Sequence, residues 1–242
     1  MAGHSKWKNI MHKKEKTDAQ RAKVFTKIGK EMSIAVKEGG PNPDSNSKLK
    51  DLIAKAKSFN VPNDNIERII KKASSDDSDK YENITYEGYG PSGVAVIVEC
   101  ATDNRNRTSG DLRHYFDKFG GNLGATGCVT YLFERKGIIV IDANGTDEDK
   151  LMDDALESGA ADFIKEDEAF EIITDPADVS EVSVKLEKLG YKFLSAEAEA
   201  VPSTYVKLED GDSVIKMNKL LENLEDHDDV INVWHNWDAE DK

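Results

Sequence analysis

A cluster of basic side chains near the start of the sequence has the chemistry of a phosphate-binding surface. Its members are His4, Lys6, Trp7, Lys8, Lys13, Lys14 and Lys16, continued by Arg21, Lys23, Lys27 and Lys30. Clustered cations follow a phosphate backbone and gain affinity by releasing its counterions. Trp7 lies between two lysines, where an indole either stacks on an exposed base or packs back on its own domain. The cluster predicts a nucleic-acid-binding surface, and the alternative is a helix face that is merely solvated.

Charge is divided unevenly along the chain of 242 residues, whose net charge is −14. Residues 1–75 contain 17 Lys and Arg against 8 Asp and Glu, a net charge of +9. Residues 76–242 contain the other 16 basic and 39 acidic residues, a net charge of −23. The basic part attracts phosphates, whereas the acidic part repels them. We therefore expect nucleic acid to contact the N-terminal part.

A second polar cluster follows a predicted buried strand and precedes a predicted helix. Its residues are Asp103, Asn104, Arg105, Asn106, Arg107 and Thr108. Free N–H groups and the helix dipole favour anions at a helix N-terminus, and arginine adds bidentate donors for phosphate. The alternative is a polar loop in which Asp103 caps its own turn and the arginines pair with nearby acids. The sequence leaves both interpretations open.

Residue types that serve catalysis or metal binding show no suitable spacing. The five histidines lie on separate predicted elements, and Cys100 and Cys128 stand alone in apolar segments. His227 belongs to an acidic run, 226–229, which we interpret as an exposed turn rather than a cation site. No serine nucleophile motif and no acid–base carboxylate pair stands out. We expect no catalytic residues, no metal, no cofactor and no enzymatic activity, with both cysteines acting as buried apolar side chains.

Apolar stretches are short throughout the sequence. None reaches the roughly 18 residues that a membrane span requires, and the basic N-terminus lacks the apolar stretch of a signal peptide. Two isolated cysteines fit a reducing compartment. We expect a cytoplasmic monomer that binds nucleic acid and no membrane.

Residues 1–16 are interpreted as a basic arm, and three amphipathic helices are predicted to follow it. Apolar residues at helical spacing predict the first from a capping box at 17–20 to about residue 38. Glycines and prolines end this helix, and two further helices follow over 45–59 and from residue 62. Short amphipathic helices bury their apolar stripes against each other, so residues 1–79 should form a basic helical domain.

Strands alternate with helices in the rest of the chain. Two predicted strands, 94–98 and 129–133, flank a helix that begins with a capping box at Thr108. Over 137–201 the order is strand, helix, strand, strand, helix, strand, which is the ferredoxin-like unit. The closing segment, 204–237, is strand, helix, strand, and completes a second such unit with the first two strands.

The predicted fold class is α+β. An N-terminal three-helix domain is followed by two α/β ferredoxin-like (βαββαβ) domains, one inserted in the other. The predicted domains are a basic helical domain over 1–79, a discontinuous α/β domain over 80–135 and 202–242, and an inserted α/β domain over 136–201. Insertions at surface turns are well tolerated, which makes such nesting reasonable.

Five motifs occur in order along the chain. They are Gly3-His4-Ser5-Lys6-Trp7-Lys8-Asn9-Ile10, Asp18-Ala19-Gln20-Arg21, Tyr86-Glu87-Gly88-Tyr89-Gly90-Pro91, Thr102-Asp103-Asn104-Arg105-Asn106-Arg107-Thr108, and Gly120-Gly121-Asn122-Leu123-Gly124 with Gly127. Together they resemble the YebC family over the whole chain, which implies a helical N-terminal domain and two α/β domains. The sequence departs from the family's usual pattern at Ala22 and after the third helix, where glycines are common; this affects loop details only.

The resemblance implies two alternative functions. Bacterial members of the YebC family are described as DNA-binding transcriptional regulators. Mitochondrial relatives are translational activators of a cytochrome oxidase subunit, and some bacterial members are associated with the ribosome and with the synthesis of proline-rich stretches. A ribosome-associated factor would grip ribosomal RNA with the basic arm and turn the 103–108 cluster toward a tRNA. An uncharacterised ligand-binding enzyme is a minor third alternative.

Overall fold

The computed structural model of this protein describes residues 18–75, 80–166 and 168–239. Its helices are α1 (Asp18–Gly39), α2 (Ser47–Ser58), α3 (Asn63–Ala73), α4 (Arg105–Lys118), α5 (Glu148–Ser158), α6 (Val179–Lys188) and α7 (Gly211–Asp226). Its strands are β1 (Glu82–Tyr89), β2 (Ala95–Thr102), β3 (Asn122–Leu123), β4 (Phe133–Asp142), β5 (Asp162–Lys165), β6 (Ala169–Thr174), β7 (Phe193–Pro202), β8 (Val206–Lys207), β9 (Val230–His235) and β10 (Trp237–Asp238). Helices and antiparallel sheets together confirm the predicted α+β class. Among the described helices, none is long and apolar enough to cross a membrane.

The three N-terminal helices pack around a shared apolar core, as their hydrophobic spacing predicts. Its buried members include Ile28, Met32, Leu49, Leu52 and Ile66. The turn between α1 and α2 is closed by the buried side chain of Asn46. Its amide group donates to the carbonyl oxygens of Ala35 and Gly40, and its Oδ1 accepts from the N–H of Leu49. One side chain thus provides hydrogen-bond partners for free backbone groups at the end of α1 and the start of α2.

The first sheet has the strand order β3-β1-β2-β9 and pairs antiparallel throughout. β1 and β2 form a hairpin, and β2 is buried along most of its length, as its run of Val and Ile predicts. Cys100 on β2 is buried as expected, and burial raises the pKa of its thiol to about 12, whereas Cys128 is only partly buried, contrary to expectation. α4 ends before Gly120, whose φ of +80° suits a residue without Cβ.

The predicted strand over 129–133 is wrong, because a buried carboxylate organises this segment as a turn. Residues Thr130–Leu132 form a single 3-10 turn. The carboxylate of Glu87 on β1 accepts from the N–H of Gly127 at 2.7 Å and from those of Val129 and Thr130 at 2.9 Å. The sheet instead takes its missing strand from β1, for which the sequence analysis predicted no strand. The strand predicted near 204–208 is limited to Val206–Lys207.

Replacing Glu87 by glutamine is expected to destabilise the protein by about 1–3 kcal/mol, because the new amide group turns a donor toward buried N–H groups. Burial alone would raise the pKa of Glu87, but the hydrogen bonds from Gly127, Val129 and Thr130 hold it below its ordinary value. The matched control is Glu82→Gln on the same strand, which removes an exposed pair with Arg105 and should cost less than about 1 kcal/mol. Urea unfolding of both variants measures the difference, and equal losses would contradict the assigned role of Glu87.

The second sheet, in residues 132–207, has the strand order β5-β6-β4-β7 with α5 and α6 on one face. The chain order is β4, α5, β5, β6, α6, β7, which is the ferredoxin-like arrangement predicted for this segment. Its buried core includes Ile139, Leu151, Ile172 and Leu186. The N-cap of α5 is Asp147, whose side chain accepts from the N–H of Lys150.

Contacts within the chain separate it into two compact units. Residues 132–207 belong to one unit, and residues 18–131 with 208–237 belong to the other. The second unit therefore contains the helical N-terminal region, the first sheet, α4 and α7. The finer division into domains over 1–79, 80–135 with 202–242, and 136–201 stays a prediction.

Candidate nucleic-acid interface

Three lysines of the predicted basic surface contact the carboxyl end of α7. Lys23, Lys27 and Lys30 share one face of α1 because they are spaced by four and three residues. The Nζ of Lys23 is 2.5 Å from Oδ1 of Asp226 and 3.1 Å from its carbonyl oxygen. The Nζ of Lys27 donates to the carbonyl oxygen of Glu225 at 2.6 Å. We call this set of contacts, between Lys23, Lys27 and Lys30 on one side and residues 225–229 on the other, the lysine clasp.

The lysine clasp uses a helix terminus as its acceptor. The last carbonyl groups of a helix have no partner within it, and the dipole makes this end negative. α7 ends at Asp226, and the third lysine, Lys30, donates to the carbonyl oxygen of Asp228 at 2.9 Å, just beyond that end. Ammonium groups at this position satisfy the free carbonyls and are stabilised by the dipole.

Asp229 is the buried centre of the site, with only 3% of its side chain exposed. Its Oδ1 accepts from Lys30 at 2.6 Å, and its Oδ2 accepts from Arg107 at 2.7 Å. The hydroxyls of Thr108 and Thr102 lie 2.8 and 3.2 Å from the same Oδ2. Burial alone would raise the pKa of Asp229, but the bonds from Arg107, Lys30 and Thr108 hold it far below its ordinary value. Asp229 also raises the pKa of the Arg107 guanidinium.

The second polar cluster forms the first turn of α4 rather than a loop before it. The predicted helix start at Thr108 is wrong, because Asn104 is the N-cap and its Oδ1 accepts from the N–H of Arg107. Arg107 also pairs with Asp103 at 2.8 Å, whereas Arg105 pairs with Glu82 at 3.0 Å. Both arginines therefore have acidic partners within the chain, which is the alternative that the sequence left open.

The two predicted clusters line one cleft of about 550 Å³. Lys23 and Lys30 of the basic surface lie there with Asp103 and Arg107 of the second cluster. The other lining residues were not predicted from the sequence as part of a site: Thr26, Tyr81, Tyr115, Asp226, His227, Asp228 and Asp229. The run 226–229 is not a simple exposed turn, since Asp229 is buried. Its two acids at the edge, Asp226 and Asp228, are exposed as predicted.

His227 fastens the end of α7 within this cleft. Its Nδ1 accepts from the N–H of Asp229 at 3.0 Å, and its Nε2 lies 3.2 Å from Oδ2 of Asp111 on α4. The ring thereby fixes the backbone that presents the Asp229 carboxylate. The described residues contain no group of three or more His, Cys, Asp or Glu arranged to hold a metal ion.

Much of the predicted basic surface lies outside the described residues. This applies to His4, Lys6, Trp7, Lys8, Lys13, Lys14 and Lys16, and to the side chain of Arg21 on α1. Of the second cluster, Arg105 and Asn106 are exposed and Thr108 is buried. Exposed cations outside the two predicted clusters also occur on α2 and α3: Lys48, Lys50, Lys57, Arg68 and Lys71. For Lys57 and Lys71, the signal in the sequence was the concentration of lysine in the last turns of both helices.

Comparison with known proteins covers nearly the whole chain. Residues 5–76 match the family described as "TACO1/YebC protein N-terminal domain", and residues 81–237 match "TACO1/YebC second and third domain". The chain belongs to the TACO1/YebC family. This confirms the resemblance that the five motifs indicated.

Relatives in the TACO1/YebC family match this chain over nearly its full length. A "probable transcriptional regulatory protein" of Acetivibrio thermocellus is 61% identical over 242 residues, which are 99% of this chain and 100% of that protein. A protein of the same description from Ruminiclostridium cellulolyticum is 59% identical, over 100% of this chain and 98% of its own length. The crystal structure of a conserved hypothetical protein from Aquifex aeolicus has a TM-score of 0.86 at 45% identity and covers 94% of both chains.

Proposed function

We propose that this protein is a nucleic-acid-binding regulator of gene expression that contacts the phosphate backbone with its basic N-terminal segment. The observation that carries the proposal is the segregation of charge, +9 over residues 1–75 against −23 over the remainder. Electrostatic attraction of this kind supplies most of the sequence-independent affinity for nucleic acid. Relatives named as probable transcriptional regulatory proteins support the regulatory part.

The proposed contact surface is the arm up to Lys16 together with exposed cations of the three-helix region. Among these cations are Lys50, Lys57 and Lys71, which lie on α2 and α3. The first turn of α4 contributes less, because Arg107 and Thr108 are committed to Asp229. Arg105 and Asn106 remain exposed there and can reach a ligand without breaking the buried centre.

A second candidate is a ribosome-associated translation factor that binds ribosomal RNA. The charge of −23 on the larger part of the chain favours it, because such a body is repelled by the length of a DNA duplex. A basic arm inserted among RNA helices leaves that acidic body at a distance. Both candidates are non-enzymatic, need no cofactor and place a monomeric chain in the cytoplasm.

Direct titration tests the proposal and separates the candidates. The full chain is titrated against a labelled DNA duplex and a labelled RNA hairpin of matched length over a series of KCl concentrations. We expect binding that weakens with salt, with a log–log slope of about −0.9 for each phosphate contacted on a duplex. Tighter binding to DNA favours the transcriptional regulator, and tighter binding to RNA favours the translation factor. Absence of binding to both at low salt would reject the proposal.

A further inference from the structure

The lysine clasp engages three of the cations that the sequence assigns to nucleic acid. Lys23, Lys27 and Lys30 each donate to an oxygen of residues 225–229, at distances between 2.5 and 3.1 Å. Carboxylate and carbonyl oxygens bind ammonium groups as phosphate oxygens do, at the same distances and with the same sign of charge. A phosphate backbone and residues 225–229 can therefore bind the same kind of side chain.

We propose that residues 225–229 act as an intramolecular substitute for a phosphate backbone, which covers the lysine face of α1 until nucleic acid displaces it. The inference rests on the proposed function. It adds that the lysine face of α1 binds nucleic acid and that residues 225–229 regulate its access. The segment combines exposed carboxylates at Asp226 and Asp228 with the negative end of the α7 dipole. A strand of nucleic acid offers lysines the same arrangement of closely spaced anionic oxygens.

The two ends of the lysine clasp differ in burial, and this sets how it opens. Lys23 and Asp226 are 39% and 67% exposed, so their pair is screened by salt and contributes little to stability. Lys30 and Asp229 are 10% and 3% exposed, and Asp229 is also held by Arg107. The exposed end is thus exchangeable, whereas the buried end is an anchor. Nucleic acid therefore binds Lys23 and Lys27, while Lys30 keeps α1 attached to Asp229.

The test weakens the exposed end without touching the anchor. The variant Asp226→Asn with Asp228→Asn removes two charges from the clasp. The matched control, Asp212→Asn with Glu222→Gln, removes two charges from exposed positions elsewhere on α7, including an ion pair of Asp212 with Lys216 at 2.6 Å. Both variants change the net charge equally, so a difference between them reports the position of the charges. Equal melting temperatures establish that both fold like the wild type.

Affinity for a labelled RNA hairpin and a matched DNA duplex is measured for the wild type, the clasp variant and the control. We expect the clasp variant, Asp226→Asn with Asp228→Asn, to bind the preferred probe about fivefold more tightly than the control. In this variant the exposed ion pair with Lys23 is absent, so it no longer competes with the probe. Equal affinities of variant and control, with the wild type binding, would overturn the inference and leave the proposed function intact. If even the wild type binds neither probe, the proposed function fails and the inference fails with it.

Discussion

Replacement of Asp229 by asparagine is expected to lower the free energy of unfolding by about 3–5 kcal/mol. Removing one partner of a buried ion pair leaves the other charge uncompensated, and that cost is of this size. Asp229 bonds Lys30 through Oδ1 and Arg107 through Oδ2. Whichever way the asparagine amide turns, its NH₂ group faces one of these cations. The substitution therefore replaces an attraction by a repulsion at the centre of the site.

Urea unfolding of the wild type and of Asp229→Asn measures this loss of free energy. The control is Asp226→Asn, which removes an equal charge three residues earlier. Because the Lys23–Asp226 pair is exposed, its loss should cost less than about 1 kcal/mol. A cost at Asp229 no greater than that at Asp226 would show that the buried centre does not hold the helical region in place.

The same carboxylate predicts how stability changes with pH. The pKa of Asp229 in the folded protein is far below that in the unfolded chain, where an aspartate titrates at about 3.9. A depressed pKa stabilises the folded state above the unfolded-state value, and this stability is lost as the pH falls toward the folded-state value. The difference in stability between wild type and Asp229→Asn should therefore be constant at neutral pH and shrink below about pH 4.

Local patterns predicted the helices and the ferredoxin-like segment well. Sequence patterns located both ends of α1 and the start of α3 to within a residue or two, because each helix buries one stripe against its neighbours. The strand, helix, strand, strand, helix, strand order over 137–201 was legible because each of its elements carries its own apolar period and turn residues.

Hydrogen bonds between residues far apart in the sequence determine the features that local patterns did not predict. The segment 129–133 is apolar enough for a strand, but Glu87, more than 40 residues earlier, captures its N–H groups. Asp229 lies 199 residues from Lys30 and 122 from Arg107. No local pattern connects residues so far apart, so the acidic run looked like a solvated turn. The spacing of Lys23, Lys27 and Lys30 suffices to put them on one helix face, but their partner on α7 could not be predicted.

Charge reversal in the arm is expected to weaken nucleic-acid binding about a hundredfold or more. The variant replaces Lys6, Lys8, Lys13 and Lys14 by glutamate. Each lysine on a phosphate releases about one counterion, and four such contacts together supply several orders of magnitude in affinity at moderate salt. These lysines are better targets than Lys23 and Lys27, whose reversal would also place glutamates against the acidic end of α7.

A control with the same net charge isolates the role of position. It replaces four exposed lysines outside the basic segment by glutamate: Lys150, Lys188, Lys192 and Lys219. Any effect of overall charge on affinity is then equal in the two variants. Circular dichroism and melting of both variants verify that they remain folded.

The measurement that tests the central claim most directly is the affinity of these two variants and the wild type for the probe that the wild type prefers. If the basic N-terminal segment is the contact surface, the arm variant loses about a hundredfold or more, and its salt dependence flattens by about 0.9 per lost contact on a duplex. The control keeps most of the wild-type affinity and its salt slope. Equal affinities and equal salt slopes for the arm variant and the control would contradict the claim.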